Sequence, residues 1–263
     1  MKKEILLLLL IILCSGMLYA QNSVSNEKEI NFTAKEASSV PVIDGKALDK
    51  CWEEAEWYQI DQVWIPWGGN MDPADFSGRF KVCWSSVTDR IYFLVEITDD
   101  VLVDGYKYPM PQYHNWDVVE IFFDEDASGG DHTLNQNAFA YHISCGNENT
   151  EFEAMDLTAG WKAMNYSSHL DCVIEQDEED RYIWEISMTV YNDNYNPNRS
   201  SNPTEQLVAG KVSGLSLAYC DNDDPSENPK MRDNFIGTIY VPKANFNDHW
   251  QNADWFGRLK LVK

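Results

Sequence analysis

Residues 115–126, NWDVVEIFFDED, decide the fold class. Successive side chains of a β-strand face opposite sides of a sheet, so this stretch splits into two sets. Val119, Ile121 and Phe123 form an apolar set and predict a face turned to a core. Trp116, Val118, Glu120, Phe122 and Asp124 form the other, which carries a carboxylate in mid-strand with a tryptophan at its mouth. The same period recurs on both sides. It is seen in Phe80-Val82-Trp84, Ile91-Phe93-Val95-Ile97, Phe139-Tyr141-Ile143-Cys145, Tyr182-Trp184-Ile186-Met188-Val190 and Leu215-Leu217-Tyr219. A weaker run covers 168–175, and two last strands are expected at 235–241 and 256–262. Helical spacing is found at 47–58, where Leu48, Cys51, Trp52 and Ala55 share a face. About nine or ten short strands, broken by Gly, Pro, Asn and Asp and without strand–helix alternation, predict an all-β, antiparallel β-sandwich with one short N-terminal helix.

The first twenty residues read as a secretory signal: Lys2 and Lys3, an apolar run from Ile5 to Leu13, then small and polar residues up to Ala20. The run is shorter than the ~20 residues a membrane span needs. Export to the periplasm or the exterior is therefore expected, with residues 21–30 as a flexible leader and 31–263 as one domain. Lipidation at Cys14 is the alternative, disfavoured by Leu13 in front of it.

The 263-residue chain carries 20 Lys+Arg against 43 Asp+Glu, a net charge of -23. Such a chain repels phosphate backbones and anionic membranes, which excludes nucleic acid as a natural partner and leaves neutral ligands and divalent cations. The cysteines show no CxxC spacing, so neither a zinc site nor a redox pair is signalled. Export would permit a disulfide; buried small apolar residues are the plainer reading.

Several tryptophans fit no core pattern. Trp64 and Trp67 lie in QVWIPWGGN, Trp116 opens a strand, and Trp250 and Trp255 lie among polar residues in NDHWQNADWFG. An indole in such surroundings either plugs an end of the sandwich or offers a flat face to a sugar ring, with nearby amides and carboxylates for the hydroxyls. Glu120 shares its parity with Trp116 and, if extension persists, with His114. The neighbouring strand puts Ala140, His142 and Ser144 on its non-core face. Glu120, His142 and Ser144 could then meet hydroxyls on a shallow floor.

Pro41-Val-Ile-Asp-Gly45, Leu48-Asp-Lys-Cys-Trp52, Phe80-x-Val-x-Trp84, Ile91 to Asp99, Trp116 to Asp124 and Trp255 to Leu261 together resemble the family 9 carbohydrate-binding modules over residues 40–263. The resemblance implies a β-sandwich of immunoglobulin-like or jelly-roll type, structural calcium in many members, and non-catalytic binding of mono-, oligo- or polysaccharide. It places Glu120 at the family's sugar-binding carboxylate and Trp250 at one of two clamping tryptophans. His114 falls at the other clamp position, with Trp116 or Tyr113 as neighbours able to substitute. His142 and Ser144 fall where the family has an arginine and an asparagine. These departures leave the ligand open.

Asp124-x-Asp126-x-Ser128-Gly129 has the opening spacing of a calcium loop, with Asn135 rather than Glu at the twelfth position. Asp221, Asp223 and Asp224 form a second acidic loop. Two other functions stand beside sugar binding. One is a structural or assembly domain that has lost its site. The other is a glycoside hydrolase, which needs two carboxyls ~5–5.5 Å apart. Glu120 and Asp124 lie ~13 Å apart along one strand, leaving Glu120 with Glu185 as the pair to test.

Overall fold

The computed structural model describes residues 29–106, 112–133, 135–144, 152–158, 162–179, 181–224, 226 and 230–263. The expected signal, most of the leader, Cys14 and Cys145 lie outside the described residues. The elements are β1 (Phe32–Glu36), α1 (Lys50–Glu54), β2 (Tyr58–Ile60), β3 (Gln62–Ile65), β4 (Phe76–Ser85), β5 (Arg90–Asp99), β6 (Val118–Asp124), β7 (Phe139–Ser144), β8 (Glu153–Thr158), β9 (Lys162–Asn165), β10 (Leu170–Gln176), β11 (Tyr182–Thr189), β12 (Val212–Asp221), β13 (Asn234–Gly237) and β14 (Gly257–Val262). The all-β expectation holds.

Hydrogen bonds run through the order β10-β11-β5-β4-β1-β14-β12-β6-β7-β8-β9. The sheet is mixed rather than antiparallel throughout, because β1 lies parallel to both β14 and β4. Parallel neighbours need a long crossover. The chain supplies one between β1 and β4, through α1, β2 and β3.

The sheet curls on itself around one apolar core. Val82, Trp84, Phe93 and Val95 from one half meet Val119, Ile121, Tyr141 and Leu217 from the other. Phe76 of β4 stacks on Tyr219 of β12 with ring centroids 5.1 Å apart. The alternation of β6 explains its place: Val119, Ile121 and Phe123 enter this core, while Val118 and Phe122 enter a second cluster on the outer face. Trp64, Tyr113, Trp116, Phe235 and Phe256 cover that second face. Both faces of β6 are therefore dry, which the sequence reading had expected of only one.

Helix α1 is shorter than the 47–58 periodicity predicts. Ala47 has a positive φ of 53° and Ala55 is already extended. The next residues are taken by β2 pairing with β4. Cys51 and Trp52 pack on Cys83, Tyr92, Leu94 and Ile183, while Leu48 points to solvent. Buried Glu185 of β11 ties this corner down. Its Oε2 accepts from the amides of Asp44 and Gly45, each at 2.9 Å, and its Oε1 from Trp52 Nε1 at 2.7 Å.

Candidate functional site

Glu120 stands in the middle of β6, opposite His142 of β7 on one side and Ala218 of β12 on the other. Its carboxylate is 1% exposed. His142 Nε2 lies 3.0 Å from Oε1. Cys220 Sγ donates to the same oxygen at 2.9 Å, and Arg232 Nη1 donates to it at 3.5 Å and to Cys220 Sγ at 2.8 Å. Among the described residues Oε2 has no donor.

Glu120 belongs to the floor of a cavity of about 240 Å3. Tyr113 and His114, from a 3-10 turn at Tyr113–Asn115, line one side. Ile65 of β3 and Phe235 of β13 supply apolar surface, and Asn247 and Trp250 come from the loop before β14. Met231 and Arg232 arrive from the segment leading into β13. Arg232 is held from two further sides: Nη2 donates to Asn247 Oδ1 at 2.9 Å, and the guanidinium carbon sits 3.8 Å from the Phe235 ring centroid. The Tyr113 ring meets His142 edge to face at 4.5 Å, and its buried hydroxyl has no partner among the described residues. A larger groove of about 680 Å3 beside Asp44–Leu48 and Glu175–Glu178 is lined without aromatic rings.

Burial works to raise the Glu120 pKa, but the charge and hydrogen bond of His142, with Arg232 behind them, outweigh it and bring it to about 2. The floor is thus an ionised acceptor. Burial, and then the nearby Arg232 charge, lower His114 to about 4, so this wall is neutral at pH 7.

The structure brings Glu120, His114, His142 and Trp250 together around the cavity. Trp116 and Ser144 do not line it. Trp116 is 6% exposed and packs in the second cluster. It starts no strand: it is the residue after the 3-10 turn, which breaks the parity extrapolated back to His114. Buried Ser144 pairs across β8 with Glu153, toward whose carbonyl its hydroxyl is directed at 3.5 Å. Trp64 is a core residue of β3 rather than a loop indole, stacked on His249 at 4.1 Å. Sequence reasoning missed Arg232 and Asn247, which lie in aperiodic loops. Glu185, the partner a glycoside hydrolase would need beside Glu120, belongs instead to the α1 corner, where both its oxygens are engaged.

Acidic groups gather elsewhere. In the loop after β6, Asp124 Oδ2 accepts from Gly129 N at 2.7 Å and Asp126 Oδ1 from Ser128 N at 2.9 Å. These oxygens close the turn on itself, and Ser128 Oγ donates to Asn137 Oδ1 at 3.4 Å. Asp99, Asp117 and Asp221 each present an oxygen within 4.8 Å of the others, and Asp75, Asp100 and Asp223 form a second such trio. Asp117 is 0% and Asp221 1% exposed. Burial and the Asp99 charge push Asp117 up to about 10, and burial pushes Asp221 up to about 7. Among the described residues Asp221 Oδ1 has no donor. An all-carboxylate, oxygen-only set with an orphan atom fits a hard cation such as calcium.

Among the described residues no helix is long and apolar enough to cross a membrane. No curated protein sequence matches the chain. The solved structures that resemble it include two of a family 9 carbohydrate-binding module from Caldicellulosiruptor kristjanssonii. The complex with glucose has a TM-score of 0.57 at 19% identity, covering 87% of this chain and 95% of that one. The complex with cellotriose has a TM-score of 0.58 at 19% identity, covering 88% and 93%. The sequence profile described as "Carbohydrate family 9 binding domain-like" matches residues 43–263. The chain therefore belongs to the carbohydrate family 9 binding domain-like family.

Proposed function

We propose that the Glu120 cavity binds a sugar without transforming it, and that the protein is an exported carbohydrate-binding module. The observation that carries this is Glu120, an ionised acceptor whose Oε2 finds no donor among the described residues, on the floor of a cavity walled by Trp250 and Tyr113. A sugar hydroxyl supplies the missing donor, and an aromatic face matches the apolar C–H side of a pyranose ring. The cavity volume suits about one ring, so the end of a chain or a free monosaccharide is the expected ligand. The glucose and cellotriose bound by the C. kristjanssonii module make gluco-configured sugars the first to try. We read the curled sheet as a β-sandwich carrying this site on its outer face.

Non-catalytic action is supported by the use of Glu185 elsewhere, which leaves Glu120 without a second carboxyl on the cavity floor. Isothermal titration with glucose, xylose, galactose and cello-oligosaccharides tests the reading. A dissociation constant between about 10 µM and 1 mM, or about 7 to 4 kcal/mol, is expected. Trp250→Ala should abolish the heat. A sugar bound with unchanged affinity by that variant overturns the assignment.

A further inference from the structure

We propose that Cys51 and Cys83 are a disulfide-forming pair, oxidised by exchange with an external disulfide, and that the linkage fastens α1 to β4. Both are free thiols in the structure. Cys51 and Trp52 are the buried residues of α1. Cys83 lies on β4 between Val82 and Trp84. Those two enter the main core, so alternation sends Cys83 to the opposite face. There it meets Cys51 in a small separate cluster closed by Trp52, Tyr92, Leu94 and Ile183. Cys51 is 2% and Cys83 1% exposed. The thiols themselves interact: a hydrogen bond with Cys51, and then burial, hold the Cys83 thiol well above the usual thiol range. The remaining described cysteines are placed otherwise. Cys220 is engaged by Glu120 and Arg232, and Cys172 stands on β10 opposite Ile186.

The corner has a use for a covalent tie. Helix α1 has five residues, a length at which a helix does not hold itself. Its N-terminus receives no side-chain cap from Asp49, and Ala55 is already extended. Lys81 Nζ donates to Trp52 O, and Trp52 Nε1 donates to Glu185 Oε1 at 2.7 Å. A bond from residue 51 to residue 83 closes a loop that contains β2 and β3, and so removes many conformations of the crossover from the unfolded chain. An exported chain folds where disulfide donors are at hand.

The chemistry is a double exchange. One cysteine gives its proton to solvent, and its thiolate attacks a sulfur of the external disulfide and expels a thiolate. The second cysteine, deprotonated in turn, attacks the mixed disulfide and expels the other. The pair loses two protons and two electrons, and the donor becomes two thiols. With both sulfurs buried and the Cys83 proton held tightly, the exchange belongs to the folding chain, before α1 closes over β4.

The purified protein is unfolded and reduced, then refolded with oxidised glutathione or with reductant throughout. Peptide mapping after alkylation should show the Cys51 peptide joined to the Cys83 peptide in the first sample alone. The linked protein should melt about 5–15 °C above the reduced one. Folded, reduced protein given the same glutathione should form the linkage at least tenfold more slowly than the refolding chain. Cys172→Ala should keep the linkage and the shift, and Cys83→Ser should lose both. If Cys83→Ser does not fold, the two wild-type samples decide alone. Refolded protein with no Cys51–Cys83 peptide, or with either residue joined to another cysteine instead, overturns the pair. A linked protein that melts with the reduced one overturns the fastening of α1. Equal oxidation rates for folded and refolding protein overturn the order of events.

Discussion

His142 Nε2 and Glu120 Oε1 lie 3.0 Å apart across two neighbouring strands, with 5% and 1% of their side chains exposed. A carboxylate this deep is held by its neighbours. Arg232 and Cys220 complete one oxygen's surroundings, and the residue lines the cavity. The site is therefore part of the fold as much as an addition to it, and substitutions divide by which of these parts they touch.

Glu120→Ala should destabilise by about 3–5 kcal/mol, since it strands Arg232 and His142 in a dry place. Glu120→Gln preserves the shape and should destabilise less, yet still remove the ionised acceptor. Urea unfolding of the two variants, with sugar titration of the glutamine form, checks this. Equal stability of wild type and Glu120→Ala would show the pair to be solvated.

Trp116 and Trp250 should respond in opposite ways. Trp116→Ala empties a core site and should cost about 3–5 kcal/mol, with sugar affinity retained in the cold, where the variant is folded. Trp250 is only partly buried. Trp250→Ala should keep most of the stability and lose the ligand. Both variants losing affinity in proportion to stability would argue against an aromatic wall at residue 250.

How far the sequence announced this arrangement depends on distance along the chain. Val119, Ile121 and Phe123 were legible because period-two alternation is a local property of six or seven residues. So were Trp84 and Trp184, both 0% exposed. Glu120, His142 and Trp250 were found by parity and by resemblance. Trp116 and Ser144 were misplaced for one reason: parity tells which side a residue takes, not what covers that side. Here β3, β13 and the turn at Tyr113–Asn115 cover it. Arg232 and the Asp99–Asp117–Asp221 group were out of reach, because their partners are set by loops meeting across more than a hundred residues. Acids closing two strands and opening a third were the one available signal for that group. The parallel place of β1 was equally hidden, since alternation carries no strand direction.

Gly237 reports on the wall behind the cavity. A Cβ built there would meet the Trp64 ring at 2.1 Å. That ring stacks on His249, which directly precedes Trp250. Gly237→Ala should cost about 1–3 kcal/mol by overpacking and weaken sugar binding although residue 237 does not line the cavity. Thermal melts and titration check both, and unchanged values for both would show that Trp64 has room to move.

His249 should make the fold acid-sensitive in a way one substitution can isolate. Its ring is fully buried, 4.1 Å from Trp64 on one face and 5.8 Å from Phe256 on the other. Burial lowers its pKa to about 3 against the opposing pull of Glu120, whereas an unfolded histidine titrates near 6.5. Between these values the unfolded chain holds the extra proton, so the histidine's contribution is full above about pH 6.5 and drains away as pH falls toward 3. His249→Phe keeps a ring in the slot and removes the titration. His132, His169 and the buried carboxylates titrate in both proteins and cancel in the difference. Relative to wild type, the variant should therefore gain about 1.4 kcal/mol per pH unit on going from pH 5.5 to 4.5, whatever its standing at pH 7. Urea midpoints at pH 7, 5.5 and 4.5 measure this, and parallel curves for the two proteins would mean that water reaches the imidazole in the folded state.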